Sequence, residues 1–180
     1  MQNDGAVIAS AARLVAAARG LADDYGGPGA PVSPDQLGVL LAASGCHVEI
    51  FPFRSDALGM TLPVCEGVHP VLVNGDSPGV DRWLTLRHQV AHVLAGDTLG
   101  TVCLAGDGFD QPSERVADLF ALADAVPGWW ISQVARGHCS RNAVLNTLAQ
   151  RVAATAPAWP PERVHDRTLL RFALFCDAGI

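Results

Sequence analysis

LTLRHQVAH, residues 84–92, places His88 and His92 four positions apart within a run of helical apolar spacing. Four residues advance a helix by a little over one turn, so both imidazoles project from one face, about 6 Å apart along the axis. Two ring nitrogens placed in this way can meet one Zn2+ at about 2.0–2.1 Å each. A catalytic zinc also needs a third protein ligand and an open position for water. Between the histidines stands Gln89, where the H-E-x-x-H pattern has a glutamate.

Working outward, VDRWLTLRHQVAHVLAGD reads as one helix, with Val80, Leu84, Val90, Ala91 and Leu94 on its buried side. Upstream, HVEIFPF alternates, and ALGMTLPV and HPVLVNG follow at hairpin-like distances. These predict strands near 47–53, 57–63 and 69–74, closed by the turn NGDSPG. At the start of the chain, an Ala-rich periodic run predicts a helix over 5–24. Ser33 and Pro34 open a second helix that Gly45 stops. Downstream, TLGTVCLAGDGFDQPS reads as loop, and Ser113 caps an amphipathic helix that begins at Glu114 and ends before Pro127. The tail reads as two or three more helices, broken at APAWPP.

This order predicts an α+β chain with a small, mostly antiparallel sheet packed on helices, and excludes alternating βαβ units. Residues 1–127 form the main unit, and residues 128–180 a helical C-terminal extension packed on it as one compact domain. The composition supports a globular core: 180 residues, 49% hydrophobic and 17% charged. A net charge of −6 offers no overall basic footprint for nucleic acid. No segment reaches about 18 uninterrupted apolar residues, so no membrane span is expected. The N-terminus departs from a signal peptide, with Asp4 in its first turn and Arg13 inside the apolar run. Cys46, Cys65, Cys103, Cys139 and Cys176 form no C-x-x-C pair and read as reduced thiols of a cytoplasmic protein, most of them filling the core.

Two stretches carry a family resemblance. VLVNGDSPGVDRWLTLRHQVAH is similar to the strand and helix of the ImmA/IrrE-type zinc metallopeptidases, a gluzincin family, through Arg82, Thr85, Leu86, His88 and His92, with Leu84 or Trp83 at the usual Phe. ERVADLFALADAVP resembles that family's following helix through Glu114, Ala117, Phe120, Ala121 and Pro127, with Asp118 in place of Asn. Counting the helices before the sheet, the likeness covers roughly residues 10–127. It implies a zincin-like fold, Zn2+ as cofactor, and His88, His92 and Glu114 as the metal ligands.

The residues themselves also favour Glu114, because it opens a helix and is followed by apolar residues that would hold it by packing. The rival carboxylates are Asp97, Asp107, Asp110 and Asp118. Asp118 lies one turn after Glu114 on the same face, so it either ligates or orients a histidine from behind. His47, His69, His138 and His165 have no spacing partner and read as surface or core histidines.

Gln89 changes the chemistry expected. In a zinc peptidase the glutamate at this position takes a proton from the metal-bound water and delivers it to the leaving amine. An amide is nearly isosteric but has no usable basicity. General acid–base catalysis contributes about 10²–10⁴-fold, so hydrolysis is expected to be impaired. Three readings stay open: a catalysis-poor relative that binds metal and a partner, a deliberate substitution that stops turnover, or a different reaction with a base from elsewhere. A non-catalytic partner-binding module on the same scaffold is the main alternative, and histidines that merely sit in a core are the third. The resemblance implies a protein or peptide partner, a helix-turn-helix repressor, with no direct nucleic-acid contact. An extended substrate would lie along an edge strand of the 57–74 hairpin. ERVHDRTLLRF, with Arg163, His165, Arg167 and Arg171, reads as a solvated helix face or a modest basic one.

Overall fold

The computed structural model describes residues 4–26, 41–42, 45–53, 56–97, 100–104, 110–138 and 140–180, with the side chains of 19–26 outside that set. Among these, the chain runs α1 (Asp4–Gly26), β1 (Cys46–Phe51), β2 (Ala57–Thr61), β3 (His69–Asn74), α2 (Gly79–Ala95), β4 (Thr101–Leu104), α3 (Pro112–Ala125), α4 (Gly128–Gly137), α5 (Arg141–Thr155) and α6 (Pro161–Ala178). The architecture is α+β. The helix expected after Ser33 lies almost wholly outside the described residues, as does Asp107.

The strands pair in the order β1-β3-β2-β4. β1 runs parallel to β3, and β2 is antiparallel to both β3 and β4. The sheet is therefore mixed, and it has a fourth strand where the sequence reads as loop. TVCL is only four residues long, and its pairing with Ala57–Thr61 becomes visible only in three dimensions. The order also corrects the expected docking edge. β2 and β3 are both interior, so the described edges of the sheet are β1 and β4 and not the 57–74 hairpin.

α3 is the central helix. Ala117, Phe120 and Ala123 pack with Val15 and Ala18 of α1 and with Val90 and Ala91 of α2. Leu119 joins Val7, Ile8 and Ala11 of α1 and Leu170 and Leu174 of α6. Ala121 and Leu122 enter a cluster with Leu58, Leu84, Cys103, Ile131, Leu148 and Val152. From Glu114 to Ala123 the helix is buried on nearly every side, polar residues included, so the amphipathic pattern of ERVADLFALADAV marks no solvent face. The same clusters mix residues from before and after Pro127, so the helical tail and the sheet share one core. On α2, Leu84, Val90 and Ala91 are buried, but Val80 is exposed in the first turn and Leu94 only half-buried.

Polar side chains tie the tail in as well. Arg163, Arg167 and Arg171 are each at most 1% exposed, which overturns their reading as a solvated or basic face; His165 alone of that group points outward. Arg171 donates to the Val126 and Ile180 carbonyls. Arg115 on α3 reaches Asp4 on α1 and Asp166 on α6. No helix among the described residues is long and apolar enough to cross a membrane.

α2 lies on the sheet at Gly59 of β2. A Cβ added there would stand 2.6 Å from Thr85 Cγ2 and 3.0 Å from the Leu72 carbonyl oxygen. Only glycine allows this approach. Gly59→Ala is expected to cost about 1–3 kcal/mol through overpacking. Adding Thr85→Ser, which removes the clashing methyl, should return part of that loss. Urea unfolding of the two variants measures both effects.

Candidate metal centre

His88 and His92 are both 2% exposed on the inner face of α2. Their Nε2 atoms lie 3.1 Å apart. The Glu114 carboxylate, in the first turn of α3, straddles them, with Oε2 at 3.1 Å from His88 Nε2 and Oε1 at 3.2 Å from His92 Nε2. The three residues expected to meet do meet. Two nitrogens 3.1 Å apart, each about 2.0–2.1 Å from one ion, subtend about 100° at it, close to a tetrahedral angle.

Each ring is fixed from behind. His88 Nδ1 lies 2.8 Å from Asp118 Oδ1, and His92 Nδ1 lies 2.7 Å from Asp97 Oδ2. An ionised carboxylate only accepts, so each Nδ1 donates to the carboxylate behind it and each ring turns its Nε2 toward Glu114. Asp118 and Asp97, both considered as rival ligands, thus orient the rings and do not face the centre. Asp97 reaches back because Gly96 takes a left-handed conformation (φ +85°) that caps α2 and reverses the chain. Asp110 is exposed and takes no part.

Asp118 is completely buried and held by three groups. Arg163 Nε and Nη2 donate to its two oxygens at 3.0 and 2.7 Å, and Arg167 Nε donates to Oδ2 at 2.7 Å. Two of the three arginines that looked like surface charge, Arg163 and Arg167, therefore lie directly behind a histidine of the centre.

Electrostatics follow from this crowding. Burial raises the Glu114 carboxyl, but hydrogen bonds from both histidines and their charges outweigh it and leave it at about 2. Burial opposes ionisation of Asp118 too, and the Arg163, His88 and Arg167 contacts override it, so its carboxyl stays far below the ordinary range. Burial also works against an imidazolium at His88. The neighbouring Cys103 sulfur and the Asp118 and Glu114 carboxylates more than compensate, and its proton is held well above the usual histidine value. In the metal-free protein, a proton stands where a cation would.

Cys103 is the residue whose role the sequence does not disclose. It sits on β4, 2% exposed, with its Sγ and donor atoms of His88 and Glu114 all within 4.8 Å of one another. Nothing in its spacing marks it, because it reaches the centre only through the pairing of Cys103 with Gly59 across β2 and β4.

Gln89 is fully buried, and its Cγ lies against Gly59. Among the described residues neither its Oε1 nor its Nε2 has a hydrogen-bond partner. Burying an amide unpaired costs about 1–3 kcal/mol, so this orphan marks a place where a polar group belongs. Together with three converging lone-pair donors of nitrogen and oxygen, it fits a bound divalent ion. On the other side of His92, a cavity of about 570 Å³ runs between α1, α2 and α3, with Arg13, Ser10, Asp97 and Ser113 among its polar lining.

No protein-family model, curated protein or solved structure matches this chain.

Two outcomes test this geometry. Asp118→Ala strands two buried guanidiniums and is expected to destabilise the fold by about 3–5 kcal/mol, read by denaturant unfolding. Stability of the metal-free protein should also depend on pH in two directions. Glu114, depressed in the fold, contributes above its unfolded value and loses that contribution as pH falls from about 4.5 toward 2, and Asp118, depressed further, goes on losing its contribution below that. His88, raised in the fold, contributes fully below about pH 6.5 and loses it as pH climbs through its folded value. Unfolding midpoints in chelator, from acid to alkaline pH, should peak between those limits.

Proposed function

We propose that this chain is a zinc-binding protein of the gluzincin type, similar to the ImmA/IrrE metallopeptidases, in which hydrolysis is impaired at Gln89. The observation that carries the reading is the convergence of His88 Nε2, His92 Nε2 and the Glu114 carboxylate at 3.1–3.2 Å, from two helices, inside the core. The motif likeness at residues 82–92 and 114–127 supports the same reading independently. Zinc bound there would polarise a carbonyl and lower the pKa of a bound water toward about 7.

The chain's own residues set what can follow. With Asp118 and Asp97 holding their Nδ1 protons, His88 and His92 would offer Nε2 to a metal once any Nε2 proton is displaced. Glu114 stays ionised and contributes the negative charge. Gln89 can donate or accept a hydrogen bond at the centre but cannot take a proton from water, and the step that needs a base has none at the usual position. The partner follows from the resemblance alone: a helix-turn-helix repressor, bound and not efficiently cut.

Metal analysis tests this. Purified chain is expected to hold about one zinc, which His88→Ala, His92→Ala and Glu114→Ala each lose while circular dichroism shows the helices retained. Zinc-loaded protein should leave an unstructured polypeptide uncut. Protein that takes up no zinc after dialysis against it sinks the proposal.

A further inference from the structure

We infer that Cys103 closes this centre as a fourth ligand, so that two histidines, one glutamate and one cysteine surround the ion with no position left for water. The inference rests on the proposed zinc site and goes beyond it, because it assigns a thiolate donor that the His/His/Glu pattern does not contain.

Three observations carry it. Cys103 Sγ lies within 4.8 Å of donor atoms of both His88 and Glu114. In a tetrahedral zinc site, with Zn–S about 2.3 Å and Zn–N about 2.0 Å, sulfur stands about 3.5 Å from the other donors. With respect to His88 and Glu114 the sulfur therefore needs to approach by less than about 1.5 Å; His92 lies outside that group of three, so joining all four donors also requires the sulfur and the His92 ring to close on each other. Second, Cys103 is buried and cannot be displaced into solvent without opening β4. Third, Arg163 serves this sulfur as it serves Asp118. Its Nη1 donates to the Leu104 carbonyl at 2.9 Å, pinning the residue after Cys103, and the Cys103 sulfur is near enough to its guanidinium to favour the charged form of the arginine. Donors aimed at a thiolate stabilise it as a ligand in the way that carboxylates stabilise the histidines. On binding, the thiol proton is released to solvent and the sulfur lone pair forms the bond to the ion, with no change of oxidation state.

The other features of the molecule carry less. The cavity beside His92 has no partner to define its occupant. Exposed Ile50, Phe51 and Val102 lie on strands at the sheet edges with nothing to say what covers them.

X-ray absorption at the zinc edge of the zinc-loaded wild-type chain is the test, because it needs no variant to fold. One sulfur scatterer per zinc at about 2.3 Å, beside nitrogen and oxygen at about 2.0 Å, is expected. Cys103→Ser should remove the sulfur shell and weaken zinc binding by at least about tenfold. With cobalt in place of zinc, the wild-type chain should show a sulfur-to-metal charge-transfer band that the variant lacks. Zinc bound through nitrogen and oxygen alone overturns the inference and leaves the zinc site standing. A sulfur shell that persists in Cys103→Ser overturns it as well, and a chain that binds no zinc overturns both readings.

Discussion

Everything at the centre depends on one buried carboxylate. Asp118 has no exposure to water, so its charge is tolerable only because Arg163 and Arg167 of α6 and the His88 ring of α2 surround it. Those contacts join α2, α3 and α6, across sequence separations of 30, 45 and 49 positions. They decide the His88 tautomer and so which nitrogen faces the ligand side. An isolated carboxylate in this place would be forced to take a proton; two guanidiniums prevent that. The charge network and the placement of His88 against Glu114 are one construction.

The sheet supplies the opposite wall. Gly59 lets α2 settle close enough for Gln89 to lie against β2, and the same residue pairs with Cys103 on β4. The nitrogen and oxygen donors therefore come from two helices, while the neutral amide and the thiol come to the side facing the strands. The open cavity touches His92 and Asp97 and lies among the helices, away from that wall. Such a division sets His88, His92 and Glu114 between a packed, closed side and a side with free volume. It differs from a hydrolytic arrangement, where the base and the water share the open side.

What the sequence shows and what it hides follow from range. His88 and His92 are legible because helical period puts them on one face, and Glu114 is legible because it heads the next periodic run. Asp118 can be read as an orienting residue by the same one-turn argument. Strand β4 is not legible, since four residues carry too little pattern and its partner strand lies about forty positions back. Cys103 is hidden with it. The arginines of α6 mislead for a different reason. Spaced at 163, 167 and 171 they share one face, which is the pattern of a buried stripe, but their residue type argues for water. Only the carboxylate and carbonyls awaiting them, far back in the chain, reverse that. The mixed strand order is equally beyond period, because alternation says which residues face the core and nothing about which strands are neighbours.

The identity of residue 89 then has a physical explanation in terms of charge. In a centre of two histidines, a glutamate and a cysteine, one carboxylate and one thiolate balance a divalent ion, and the two imidazoles are neutral. The volume around Gln89 is fully enclosed. A glutamate there would add a buried negative charge, and Arg163 and Arg167 are already committed to Asp118. Desolvating an unpaired carboxylate costs several kcal/mol or drives it to protonate. An amide keeps the size and the hydrogen-bonding atoms without that charge. In the proposed centre the amide at residue 89 and a thiolate from Cys103 would be complementary: a fourth position filled from within has no use for a base.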